Sequence, residues 1–556
     1  MEYKYNFSAV TNNFVKMKEK ATIKSKCVNI HFTNNKLIFN FYAYIVAKNC
    51  NVSKVELHIN EKIFKEIKLK TFNKGLNKYK IFINNRLQTV KFDLLDIIND
   101  EISINNSIYF ELHLENGKKI KKFFTSKNKI IEKKSNYKMY YLPWDSKYIG
   151  NYSVLIRRTA KGNLLLTKRL KENIEFNKKF NFFESKLISG CMYYMSKLFS
   201  KFKSINIFYE KFASKAEEGT FEICKKCQES KKSKNYYIID KSSEDYNKIK
   251  NNKFVVQKYS FKYYWLIFRA KHIIATEAPM HINVLRSSNY YLRKSIYNKK
   301  NVFLQHGIIY LKNMEASSFS KNREAEPTYI LASSDKEKEI IKSSLKLNED
   351  QILVTGIPMY NNLKYKHINN NSKDIVTIML TWKSYEEHLK DFKKSSYYKN
   401  VQEIYNILIK YINKDNINIV AHPKVNELLS STGMKIWDKP ISEVLEKTKL
   451  IITDYSSVCY NSFYQGSAVI FYQPDLELYE EVNGKLIPND DEYIGKRVFN
   501  INQIEDLFKD TISNNKIKLN KLRTKTNENM YKTINEFTDG KNIDRIYNEL
   551  QRVNII

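Results

Sequence analysis

Leu450-Ile451-Ile452-Thr453-Asp454-Tyr455-Ser456-Ser457 runs four strand-forming residues straight into a carboxylate, an aromatic ring and two hydroxyls. An apolar helical stretch follows. Backbone N–H groups and hydroxyls gathered at a helix start form a cradle for a pyrophosphate. An ordinary helix cap accounts for Asp454 or for one serine, and accounts less readily for the whole set. The same layout recurs outward from this point, with a short apolar strand ending in a polar motif. One series comprises Ser204–Phe208, Tyr236–Ile239, His272–Ala275, Asn301–Leu304, Tyr329–Ala332 and Gln351–Val354. A second comprises Ile375–Leu380, Ile417–Ala421, Leu450–Thr453 and Ala468–Phe471. Short apolar strands alternating with helical segments argue for parallel sheets in α/β domains. Two series in succession predict two Rossmann-like domains facing one another across a cleft, with ligands beyond the carboxyl ends of the strands.

The strand ends carry the chemistry. Gln305-His306-Gly307 puts an imidazole at a strand end, where it could take a proton from an attacking hydroxyl, and Gly307 allows close backbone approach. In isolation, a turn histidine bonded to a carbonyl is the simpler reading of that tripeptide. Ser333-Ser334-Asp335 reads as a helix cap, and Thr355-Gly356-Ile357-Pro358 as a rigid turn. Thr381-Trp382-Lys383 offers a cation for a phosphate, and Ala421-His422-Pro423 offers a second imidazole with Pro423 pinning the backbone. Cys224 and Cys227 share a helical pattern with no second ligand pair nearby, which makes zinc or redox chemistry improbable there. The sequence has no Gly-rich dinucleotide fingerprint and no Walker loop.

From about Lys26 to Leu170 the pattern changes to alternating strands such as Lys36–Tyr42, Lys54–Ile59 and Ser107–Leu114, broken by Asn, Lys and Asp. That pattern predicts an antiparallel, sandwich-like β domain. His58 and His113 alternate with apolar neighbours and read as strand surface. The expected division is a β-rich domain over 1–180, then Rossmann-like domains over 181–365 and 366–556. Near the first junction, Lys186–Phe199 is helical in period. A core-facing connector is the preferred reading over an interfacial membrane helix.

Composition bounds the rest. The chain has 556 residues, 42% of them hydrophobic, which supplies packed cores and excludes global disorder. Six scattered cysteines do not make a disulfide scaffold and suit a reducing compartment. Met1–Tyr5 lacks a secretory pattern, and no run is long and apolar enough to span a bilayer. With 95 Lys and Arg against 59 Asp and Glu, the formal charge is +36. A surface that basic attracts polyanions or anionic lipid, and charge alone does not choose between them.

Taken in order, Gln-His-Gly, Ala-Ser-Ser-Asp, Thr-Gly-x-Pro, Thr-Trp-Lys, His-Pro and Asp-Tyr-Ser-Ser, followed by Phe471–Asp475 and Tyr479, resemble the CDP-glycerol glycerophosphotransferase family. These are polymerases and primases of teichoic acid, with related capsule enzymes. The resemblance covers roughly Ser204 to Phe499. It implies a GT-B fold and transfer of glycerol phosphate or ribitol phosphate from a CDP-activated donor to a lipid-linked or polymeric anionic acceptor. It further implies catalytic roles for His306 and His422, and substrate-binding roles for Gly307, Gly356, Pro358, Lys383, Pro423, Asp454, Ser456, Ser457 and Asp475. No cofactor, metal or nucleic acid is expected. The location implied is cytoplasmic, on the inner face of an anionic membrane. The family pattern has Trp where this chain has Gln305. It has Pro-Arg-x-Asp where this chain has Pro358-Met359-Tyr360-Asn361, Arg in place of Lys383, and Asp in place of Asn461. A sugar-nucleotide glycosyltransferase of the same fold and a non-catalytic polyanion-binding protein are the competing readings.

Overall fold

The computed structural model describes residues 20–556 except 49–50, 60–61, 67–69, 73–78, 96–104, 124–144, 159–162, 200–202, 284–288, 316, 362, 364, 369–372, 387–390 and 423–424. The chain forms two compact units. One holds residues 1–194 with 283–295, and the other holds 195–282 with 296–556.

The first unit is built on strands β1 (Lys20–Thr33), β2 (Lys36–Lys48), β3 (Val52–Ile59), β4 (Lys62–Glu66), β5 (Lys70–Phe72), β6 (Tyr79–Asp93), β7 (Asn105–Leu114), β8 (Lys119–Phe123), β9 (Asp145–Ile149), β10 (Tyr152–Arg158) and β11 (Leu164–Leu170). One sheet runs β1-β2-β6-β5. The other runs β4-β3-β7-β11-β10-β9, with β8 beside β7. Alternation explains the layering. Val55, Leu57 and Ile59 of β3 share one buried core with Phe110 and Leu112 of β7 and with Leu37, Phe39 and Phe41 of β2. The Phe41 and Phe110 rings meet across the two sheets at 5.7 Å. The antiparallel, two-layered β expectation matches this unit.

The surface reading of the strand histidines does not hold. His58 is only 4% exposed, and the His113 side chain 22%. Both lie on the face of the sheet away from the core, where His58 stacks on the Tyr109 ring at 5.0 Å. Their polar neighbours are Glu56 and Glu111, both buried. Alternation identified the face correctly but did not show that the face itself is covered. Helix Lys186–Leu198 buries Ser189, Met192, Tyr193 and Ser196 on one side and exposes Leu187 and Leu198 on the other.

The second unit holds two parallel sheets. The first contains β12 (Ser204–Tyr209), β13 (Ser233–Ile239), β14 (Val255–Gln257), β15 (His272–Ala275), β16 (Lys300–Phe303), β17 (Tyr329–Ala332) and β18 (Ile352–Val354), in the order β14-β13-β12-β15-β16-β17-β18. The second contains β19 (Ile375–Ile378), β20 (Ile417–Ile419), β21 (Thr448–Thr453), β22 (Ala468–Tyr472) and β23 (Lys496–Val498), in the order β20-β19-β21-β22-β23. In each sheet the chain starts inside and reverses direction once. Those reversals fall between β12 and β15 and between β19 and β21, and the loops leaving such a pair diverge to open a crevice.

Ten of these twelve strands lie where the apolar runs predict. β14 and β23 are three-residue edge strands, too short to show a period, and β23 carries Lys496 and Arg497 as a charged edge. The C-terminal helix Asn542–Arg552 returns to the first sheet, where Asn206 Nδ2 donates to the Ile555 carbonyl at 3.1 Å.

Gly495 precedes β23 and lies so close to β22 that a Cβ there would overlap the Val469 carbonyl. Gly495→Ala is expected to cost about 1–3 kcal/mol by forcing the two backbones apart. Urea denaturation followed by tryptophan fluorescence should place its midpoint below that of the wild type.

Candidate active site

Three loops at the carboxyl end of the first sheet surround one imidazole. His306 follows β16 and is exposed, with Nδ1 3.0 Å from the Thr276 carbonyl oxygen beyond β15. A carbonyl only accepts, so Nδ1 carries the proton and Nε2 keeps its lone pair for a substrate. The turn-histidine hydrogen bond and the base reading therefore coexist. From the loop after β12, Glu218 is buried, with Thr276 and His306 among its electrostatic neighbours. Burial raises its carboxyl above the ordinary range against the opposing influence of Lys211, Thr276 and His306. Glu218 and Thr276 thus flank His306 from the two strands at the topological reversal.

A buried carboxyl fixes this loop. Glu337 accepts from Ile309 N at 2.6 Å, from Gln305 Nε2 at 3.3 Å and from Ser333 N and Oγ at 2.5 and 2.6 Å. Gln305 sits at a φ of 62°, a left-handed conformation unusual for a side chain of its size. Its amide also donates to the Leu331 carbonyl. Gln305 therefore turns the chain so that His306 faces out. Ser334 caps helix Asp335–Leu345, as its sequence predicts.

The second sheet supplies the facing half. Asp454, 2% exposed, accepts from Thr381 N at 2.9 Å and from Tyr455 N at 2.5 Å, tying the end of β21 to the end of β19. Lys383 is equally buried. Its Nζ lies 2.7 Å from Asp475 and 3.6 Å from Asp454, and 4.5 Å over the Tyr455 ring. Tyr385 and Tyr455 donate to Asp475 at 2.8 and 3.0 Å, and Tyr455 stacks on Tyr479 at 3.6 Å. Burial alone would raise the Asp475 carboxyl; Lys383 and the two phenols bring it below the ordinary value instead. Burial raises Asp454 despite Lys383. His422 follows β20, with its ring stacked on Trp382 at 5.3 Å and its N–H on the Tyr397 hydroxyl at 3.0 Å. Pro423 lies outside the described residues.

The two halves meet at Gly307. A Cβ at that position would lie 3.4 Å from Ser457 Oγ, the hydroxyl that opens helix Val458–Tyr464 without capping it. Gly307 thus approaches Ser457 in the turn after β21, and Asp454 of the same turn is linked through Thr381–Lys383 to the loop that holds His422. Gly356 and Pro358 are engaged elsewhere. Gly356, at φ 75°, packs against Asn542, and Pro358 packs against Gly219.

Lys312 escaped the sequence reading. Its backbone neighbour Leu311 accepts from Ile487 N at 3.2 Å, which carries the segment across to the second sheet. There the ammonium senses Asp454, Lys383 and Cys459, and burial lowers its pKa. Unlike Lys383, it makes no ion pair among the described residues. The position five residues beyond the histidine loop was the one available sequence signal.

The family model for CDP-glycerol:poly(glycerophosphate) glycerophosphotransferase matches residues 192–552, and the chain belongs to that family. The minor teichoic acid biosynthesis protein GgaB of Bacillus subtilis (strain 168) is 24% identical over 357 residues, 57% of this chain. The match spans 36% of that relative's length. Among solved structures, the wall teichoic acid polymerase TagF aligns over 67% of this chain and 95% of its own, at 16% identity and a TM-score of 0.49. A UDP-N-acetylglucosamine 2-epimerase of Listeria monocytogenes covers 64% and 97%, at 11% and 0.39.

Lys383→Met would leave the buried Asp454 and the half-buried Asp475 without their shared cation, and about 3–5 kcal/mol of stability should be lost. Thermal unfolding should show a lower midpoint for this variant, with Lys383→Arg retaining part of the loss.

Proposed function

We propose that the chain transfers glycerol phosphate or ribitol phosphate from a CDP-activated donor to an anionic polymer or lipid-linked acceptor, as its family membership and the teichoic-acid name of its relative support. The carrying observation is His306, with its Nδ1 proton committed to Thr276, next to Gly307 against Ser457. In this reading the two parallel sheets are the halves of a GT-B arrangement, within the 181–365 and 366–556 division. The acceptor hydroxyl gives its proton to His306 Nε2 as its oxygen bonds to the phosphorus bearing the polyol. The P–O bond to the cytidylyl phosphate breaks, and CMP leaves. Ser456, Ser457, Lys312 and His422 offset the charge gathering on the diphosphate oxygens. Lys383 and Asp475 act beneath them by holding the Asp454 turn. No cofactor enters this scheme.

The proposed location is the cytoplasmic face of the cell membrane. No described helix is long and apolar enough to cross a bilayer, and the +36 charge suits an anionic leaflet and an anionic product.

CMP release from CDP-glycerol, CDP-ribitol and UDP-sugars, measured with a lipid-linked acceptor, tests the reading. One CDP-polyol should be consumed. His306→Gln should lower kcat by about 10²–10⁴-fold with circular dichroism unchanged. Turnover of a UDP-sugar alone would favour the glycosyltransferase reading, and salt-sensitive polyanion binding without turnover would favour the non-catalytic one. Lys312→Ala and the Ser456→Ala, Ser457→Ala pair should each weaken donor binding by about tenfold, equivalent to about 1.4 kcal/mol.

A further inference from the structure

The β unit carries a cluster that the transfer reaction does not use. Glu56-Leu57-His58 on β3 and Glu111-Leu112-His113 on β7 are the same tripeptide on neighbouring antiparallel strands. Glu56 pairs with Glu111 in the register, so all four polar side chains share one face. Glu56 Oε2 receives two imidazoles, His58 Nε2 at 3.1 Å and His113 Nε2 at 3.0 Å. His113 Nε2 is also 3.2 Å from Glu111 Oε1. One ring nitrogen thus faces two carboxylate oxygens, and it has at most one proton to offer them. Glu56, Glu111 and His113 each present a ligand atom within 4.8 Å of the others. A tetrahedral ion with bonds of about 2.0–2.2 Å sets its ligands about 3.3–3.5 Å apart. The His113 nitrogen stands 3.0 and 3.2 Å from the two carboxylate oxygens, close to that spacing.

We propose that Glu56 Oε2, Glu111 Oε1 and His113 Nε2 bind one transition-type divalent cation, zinc foremost, with His58 as the residue that orients Glu56. The tautomer of His58 follows from its surroundings. Its Nδ1 is buried with no partner, so the proton sits on Nε2 and is donated to Glu56. Such a donor behind a ligating carboxylate fixes its direction. Partial exposure of His113 leaves a solvent side for a water ligand and for entry of the ion. Two ammonium groups now serve the carboxylates, Lys54 at 2.6 Å from Glu56 and Lys119 at 3.1 Å from Glu111. Their side chains are 41% and 59% exposed, so both swing into water when a divalent charge replaces them. The bound ion would clamp β3 to β7, a stabilising role separate from the transfer chemistry.

Untagged full-length protein, stripped with chelator and titrated with Zn²⁺ by calorimetry, should bind one equivalent at micromolar concentration or tighter. Zinc should also raise its melting temperature. Glu111→Gln, which keeps the side chain's shape, and His113→Ala should abolish that equivalent. His58→Gln should weaken it by about 10–100-fold. His306→Ala should bind zinc as the wild type does. Co²⁺ added to the wild type should give the visible bands of a tetrahedral site, and this reading needs no folded variant. Absence of those bands, or one-site zinc binding that survives Glu111→Gln, would overturn the proposal.

Discussion

Asp454 is the constraint on which the carboxyl end of the second sheet depends. One buried carboxyl joins the ends of the two strands between which the second sheet reverses, through the Thr381 and Tyr455 amides. Loops leaving such a reversal naturally diverge. Something must hold them in register before the residues beyond them have fixed positions. Asp454 does so on one side, and Lys383 completes the link by bridging to Asp475 at the end of β22. Ser456, Ser457 and Trp382 with its stacked His422 then follow from the same anchor.

The first sheet solves the same problem with a different residue. Glu337 comes from the helix after β17 and reaches back to the loops after β16 and β17, taking two backbone amides, a hydroxyl and the Gln305 amide. The reach explains how Gln305 stands where the family pattern has Trp. Its amide supplies hydrogen bonds to Leu331 and Glu337 that hold a left-handed residue at the end of a strand. Asn461 and Asn361 are likewise bound into the scaffold. Asn461 Oδ1 accepts from the Tyr360 hydroxyl at 2.5 Å, and Asn361 Oδ1 accepts from Ile543 N at 2.9 Å. Each replaces a carboxylate in a role a neutral carbonyl oxygen fills. Lys383 is the third case. A point-charge ammonium suffices between two carboxylates, where the fork of an arginine would need wider spacing.

Much of the fold was legible because it is local. A parallel strand buried on both faces is a short apolar run, and the residue after it leaves the ladder at a predictable place. That rule placed His306, His422, Lys383 and the Asp454–Ser457 turn just beyond strand ends, where they stand. Lys312, Glu218 and Glu337 escaped it, since each reaches the site from a loop or helix whose approach only tertiary packing determines. The surface reading of His58 and His113 fell short for a related reason, since His58 is buried and His113 half-buried. Alternation tells which residues share a face, but it does not reveal that the Tyr109 ring shields His58 on the outer one.

The charge of the chain also acquires a more exact meaning. A net excess of 36 positive charges describes the long-range field, which draws a polyanion toward the surface. It does not supply a phosphate site, because a lysine already satisfied by carboxylates has little attraction left to give. Lys383 is of that kind, whereas Lys312 is half-buried near the same turn and makes no ion pair among the described residues. Partial removal from water makes an ammonium without a counter-charge costly. Lys312 is therefore a cation carried by the first half of the unit, while the Ser456 and Ser457 hydroxyls belong to the second. The hydrogen bond from Ile487 N to the Leu311 carbonyl ties the segment that carries Lys312 to the second half of the unit.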